Sequence, residues 1–202
     1  MVIAMSSFFV FGEMGGKVMA RPTREEININ ALILSYELDP DGVYHVTRYM
    51  CNRAKTEYAA LMTPWTKMSE EEIIRDKQEI RYQLLQIALE NEDDAIKQQM
   101  VFVHRAIRAP WLWDKIKILL DQVARYGEGD IGKLYRSILV KEYFSDFPKN
   151  NWQVADVNGV SEGVVEYRKR EAIKLFGVLI WKYCEERENE DIRKGVIIRD
   201  DR

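Results

Sequence analysis

The chain has 202 residues, of which 47% are apolar and 31% charged, and carries a formal net charge of −3. That mix is ordinary for a globular protein with one substantial core, and it excludes a disordered chain. It also excludes a membrane span, because the longest apolar run, FGVLIW at 176–181, falls far short of the roughly 20 residues a bilayer crossing needs. The acidic balance argues against a protein that coats nucleic acid without regard to sequence, since that requires an excess of Lys and Arg over the phosphates to be neutralised. Two distant cysteines, Cys51 and Cys184, form no CxxC pair and predict neither a disulfide framework nor a zinc site; a reduced, cytoplasmic setting fits.

Residues 1–18 read as an upstream extension ahead of MARPTREE, which begins at Met19; a short strand or hairpin turning at Gly15-Gly16 is the other reading. Thr23 followed by Glu26 has capping-box spacing and opens a helix over 23–36. DPDG at 39–42 then predicts a turn. Val43, Val46, Met50, Ala54, Tyr58 and Leu61 fall on one face of a long second helix. TPWTK at 63–67 is a loop, and Ser69 with Glu72 is the clearest capping box, leading an apolar stripe through Ile73, Ile80, Leu84 and Ile87. ENEDD at 90–94 is a solvated corner before 95–108. Pro110 restarts a helix through Ile116, Leu119, Leu120 and Val123 that ends at GEGDIG, 127–132. A helix over about 132–144 follows, with Leu134, Ile138 and Leu139, and SDFPKN at 145–150 closes this body.

The segment NWQVADVNGVSEGVVEYRKREAI, 151–173, has the parts a helix-turn-helix needs. Ala155 is the small residue where two helices touch, Gly159 takes the bend, and Val154, Val160 and Val165 are apolar anchors. Ser161 stands where an N-cap would open the second helix. This segment resembles the fourth region of bacterial sigma factors, and is similar to the C-terminal part of phage-encoded late transcription regulators. The likeness covers about 25 of the 202 residues. It implies that Glu162, Gly163, Glu166 and Tyr167 face base edges, and that Arg168, Lys169, Arg170 and Lys174 lie along the phosphates. Asn151 would donate to a phosphate at the mouth of the first helix. Asn158 departs from the family, which has an apolar anchor there that Val157 could replace. Arg168 also points partly inward beside Val165. The alternative for the whole stretch is two packed helices with a glycine turn and a solvated charged face.

The last helix, from about Glu162 to Glu188, carries Val165, Ala172, Phe176, Leu179 and Tyr183 in one stripe. Ile173, Val178, Ile180 and Trp181 are apolar off that stripe, which predicts burial in the body or a homodimer through 173–183. His45 reads as a packing histidine. RAIRAPWLWDKIK, 105–117, mixes Arg105, Arg108, Lys115 and Lys117 with Trp111 and Trp113, and reads as core tryptophans beside solvated cations rather than a nucleic-acid surface. No catalytic motif, metal-ligand array or cofactor signature is present, so no enzyme is expected. The expectation is an all-α protein: a possible N-terminal extension at 1–22, a helical body at 23–144, a helix-turn-helix domain at 145–190 with the long terminal helix, and a charged tail at 191–202. Its expected role is sequence-specific binding of double-stranded DNA in bacterial or phage transcription control, with RNA polymerase or a second copy as protein partner. The alternative is a helical adaptor or assembly protein, or a phage DNA-packaging subunit, in which the motif is structural.

Overall fold

The computed structural model describes residues 21–61, 69–89 and 110–196. The expectations for residues 1–18, for 63–67 and for 90–108 lie outside these, as do the side chains of Tyr58, Leu61, Leu84, Ile87 and Trp111. The described residues form seven helices and no strand. In chain order these are α1 (Arg24–Leu34), α2 (Pro40–Leu61), α3 (Glu70–Leu89), α4 (Pro110–Ala124), α5 (Ile131–Tyr143), α6 (Asn151–Asn158) and α7 (Glu162–Arg193). The all-α class stands.

The helix boundaries follow local chemistry, with two departures from expectation. At α1 only half of the capping box forms. The Thr23 hydroxyl accepts from the Glu26 N–H at 3.0 Å, but the Glu26 carboxylate turns instead toward Lys174 and Arg170 of α7. DPDG, expected as a turn, is the first turn of α2. Asp39 caps it by accepting from the Gly42 N–H at 2.6 Å, and Pro40 takes the first helical position, where its missing N–H costs nothing. The left-handed residue that breaks the chain here is Glu37, at φ 60°. Ser69 and Glu72 do form the reciprocal box, with contacts of 2.9 and 3.2 Å.

Helix α7 is the axis of the molecule. At 32 residues it spans about 48 Å, and all of α1 to α6 pack against it. This accounts for the apolar residues off its stripe: Ile173, Val178, Ile180 and Trp181 are all buried within the chain, as is Phe176 on it. The surface expected to form a homodimer through 173–183 is therefore covered largely by the chain's own helices. α7 also runs beyond Glu188. Asp191, assigned to a charged tail, is buried and paired with Arg81 of α3.

α2 and α7 approach closely at Gly177. A Cβ there would sit 2.1 Å from Thr47 Oγ1 and 2.8 Å from Val43 Cγ1. Helix propensity favours alanine over glycine by about 1 kcal/mol, yet Gly177→Ala is expected to destabilise by about 1–3 kcal/mol through overpacking. A urea midpoint equal to or above that of the unaltered protein would show that α2 yields freely.

Candidate nucleic-acid interface

Helices α5, α6 and α7 share a small core separate from the main one. Ile138 of α5, Val154 and Ala155 of α6 and Val165 of α7 are buried together, with Leu134 and Val160 packed against them. α6 begins with a capping box that the sequence reading missed: Asn150 and Gln153 exchange side-chain-to-backbone hydrogen bonds of 3.1 Å each. It ends at Gly159, whose left-handed conformation (φ 64°) lets the Gly159 and Val160 N–H groups close onto Asp156 and Ala155 carbonyls. Ser161 then caps α7 by accepting from the Val164 N–H. Asn158, where the resemblance would have an apolar anchor, bonds its own helix, its Nδ2 donating to the Val154 carbonyl at 2.6 Å. Val157 does not serve as that anchor, being 54% exposed.

The outer side of this unit is open. Trp152, Asp156 and Val157 of α6 are exposed, as are Ser161, Glu162, Gly163, Val164 and Glu166 at the start of α7. No atom lies within 4 Å of where a Gly163 side chain would begin. Of the four residues expected to face base edges, Tyr167 alone is half-buried, its hydroxyl accepting from the Thr23 N–H at 3.0 Å.

The cations behave differently from expectation, because the body supplies a carboxylate for each. Lys174 is buried at 2% side-chain exposure, with Nζ 2.9 Å from Asn30 Oδ1 and 3.6 Å from Glu26 Oε1. Arg168 turns inward, 2.8 Å from Glu171 Oε2 and 3.3 Å from Glu25 Oε2. Lys169 pairs with Glu142 of α5 at 2.7 Å and donates to Asn151 Oδ1, which leaves the Asn151 Nδ2 group as that side chain's donor. These three cations join helices. Burying a charge requires a partner, and leaving that partner behind is costly. Arg170 stands apart: its side chain is 47% exposed, it meets Asp41 of α2 at 2.7 Å, and its guanidinium lies 4.8 Å from the Tyr44 ring centroid. An ion pair this exposed contributes about 0–1 kcal/mol.

No protein-family model, curated protein or solved structure matches the chain.

Behind Arg168 lies a buried polar network that the sequence did not announce. Glu171 accepts from the Thr23 and Tyr135 hydroxyls as well as from Arg168. Burial and the bond to Glu171 push the Tyr135 phenol up. Burial alone would lower the Arg168 guanidinium, but the bond and charge of Glu171 outweigh it and raise it. The Glu142 carboxyl is raised by burial, against the pull of Lys169. A carboxylate three residues after Arg168 was the only sequence signal for this network. Over residues 145–166 the exposed carboxylates are Asp146, Asp156, Glu162 and Glu166, and the one cation, Lys149, is half-buried, so the outer face is acidic.

The remaining expectations divide. Trp113 is a core tryptophan, edge-on to Phe144 at 5.8 Å between ring centroids. His45 is exposed rather than packed, because it lies on the side of α2 away from α7, edge to Tyr44. Cys51 and Cys184 are buried free thiols, that of Cys184 pushed up to about 12 by burial. No described helix is long and apolar enough to cross a membrane.

Proposed function

We propose that α6, the turn and the start of α7 form a helix-turn-helix that reads double-stranded DNA, in transcription control in a bacterial or phage setting. One observation carries this reading: the apolar sides of the two helices meet α5 in a core of their own, bent at a left-handed Gly159, while the first turns of α7 stay exposed. An element so supported can enter a major groove without disturbing the main core. Glu162 and Glu166, one turn apart, are acceptors suited to the amino group of cytosine. Phosphate contact falls to Arg170, which is exposed, and to Lys149, which is half-buried.

This gives a weak salt dependence. Two phosphate contacts predict a log–log salt slope of about −2, whereas four would give about −4. The test is selection by the intact protein from a library of random duplexes at low salt, followed by titration over salt. Glu166→Gln should shift the preferred sequence. Arg170→Ala should flatten the slope by about one. Lys174→Ala should lower the melting temperature and leave the slope alone. If no duplex is enriched at low salt, the reading is wrong.

The acidic outer face favours a second reading, a helical adaptor or assembly protein. Phe147 is 86% and Trp152 57% exposed, close in sequence to Asp146 and Asp156. Exposed aromatics of this kind anchor protein interfaces. On that reading Trp152→Ala abolishes complex formation and duplex titrations show no binding.

A further inference from the structure

We infer that Asp41 is an internal substitute for a DNA phosphate at Arg170, so that the start of α2 competes with the duplex for the reader helix. The inference rests on the DNA-reading proposal.

Glu162, Glu166 and Arg170 are spaced by four residues, so they follow one another along one side of α7. A duplex read by the first two residues brings its backbone toward the third. Arg170 is already prepared for such a contact. Tyr44 backs the guanidinium at 4.8 Å, and Asp41 Oδ1 receives Nη2 at 2.7 Å, in the manner of a phosphate oxygen. The other anion nearby, Glu26, is 3.8 Å from Arg170 Nε and is shared with Lys174, which itself comes within 3.9 Å of Asp41.

Exposure decides which pair can be exchanged. Glu171 and Lys174 are 1% and 2% exposed at their side chains, so releasing Arg168 or Lys174 would strand a charge in the interior. Asp41 is 65% and Arg170 47% exposed, and water can solvate both once they part. The exchange therefore needs only a side-chain rotation at the surface. The corner carrying Asp41 belongs to the body, so anything that moves α2 relative to α7 changes how much of Arg170 is offered to DNA.

The experiment uses the full chain and a fluorescent duplex taken from the random-library selection, titrated at physiological salt. Asp41→Asn is expected to tighten binding about threefold, the scale of one exposed ion pair. Asp114→Asn, the same charge change at an exposed site on α4, should leave binding unaltered at physiological salt, where the screening length is about 8 Å. Arg170→Ala should weaken binding, and adding Asp41→Asn to it should produce no gain. A gain from Asp41→Asn that persists without Arg170 overturns the inference in favour of a general charge effect. So does wild-type binding that Arg170→Ala weakens but Asp41→Asn leaves unchanged; in that case the DNA reading survives alone. If neither wild type nor Asp41→Asn binds any duplex, both fall together.

Discussion

Glu171→Ala is expected to cost about 3–5 kcal/mol of stability, the scale for removing one partner from a buried ion pair. Glu171 is 1% exposed and holds three donors at once: the Thr23 hydroxyl, the Tyr135 hydroxyl and Arg168. Its loss leaves Arg168 with Glu25 alone, at 3.3 Å, and strands the Tyr135 hydroxyl, since Tyr135 is fully buried. Glu171→Gln should cost less, because the amide oxygen can still accept one of these bonds. Chemical denaturation of both variants checks this. A loss below about 1 kcal/mol for Glu171→Ala would mean that water enters and replaces the carboxylate. The start of α1 should also loosen first, because Thr23 is tied to α7 through both Glu171 and Tyr167.

Phe176→Ala is expected to be of similar size, about 3–5 kcal/mol, through lost burial and the cavity left behind. Phe176 is 1% exposed and meets Phe144, beyond the end of α5, edge-to-face at 5.5 Å between centroids. It sits next to Gly177, where α2 approaches closely, so the surrounding backbone has little room to collapse into the space. Phe147→Ala is the matched control. With Phe147 86% exposed, its truncation should change stability by less than about 0.5 kcal/mol. If the two variants unfold at the same denaturant concentration, the axis is packed more loosely than its burial implies.

What could be read before folding was what local chemistry decides. Ala155, Gly159 and Ser161 each have one local task (a small contact, a left-handed bend and an N-cap), and the spacing of those tasks locates the bend between α6 and α7. Asp39 and Pro40 serve a turn or a helix start equally well, and only the hydrogen bond to Gly42 distinguishes the two. The partners of the cations are hidden from the sequence for a different reason. Arg170 and Asp41 are 129 positions apart, and Lys174 and Asn30 are 144 apart, so no window along the chain could show that they meet. Ile173, Val178, Ile180 and Trp181 were correctly seen as needing cover. Whether that cover came from the same chain depended on α2, α3 and α4 closing around α7, which periodicity does not encode.

The central position of α7 also bears on how the chain acquires its fold during synthesis. α7 follows in sequence the six described helices that pack on it. Partial associations that precede α7 are available, α4 with α5 and α2 with α1, α3 and α5, but the faces of α1, α2 and α3 that pack on α7 lack that cover until the axis emerges from the ribosome. At about 5–20 residues per second, the stretch from the end of α2 to the end of α7 takes roughly 7–26 seconds to translate. During that interval Ile29, Ile33, Met50 and Ile80 have no α7 to cover them. Nascent chains stalled before α7 should therefore be bound by chaperones and cut readily by protease, and chains extended past Arg193 should become resistant in a single step.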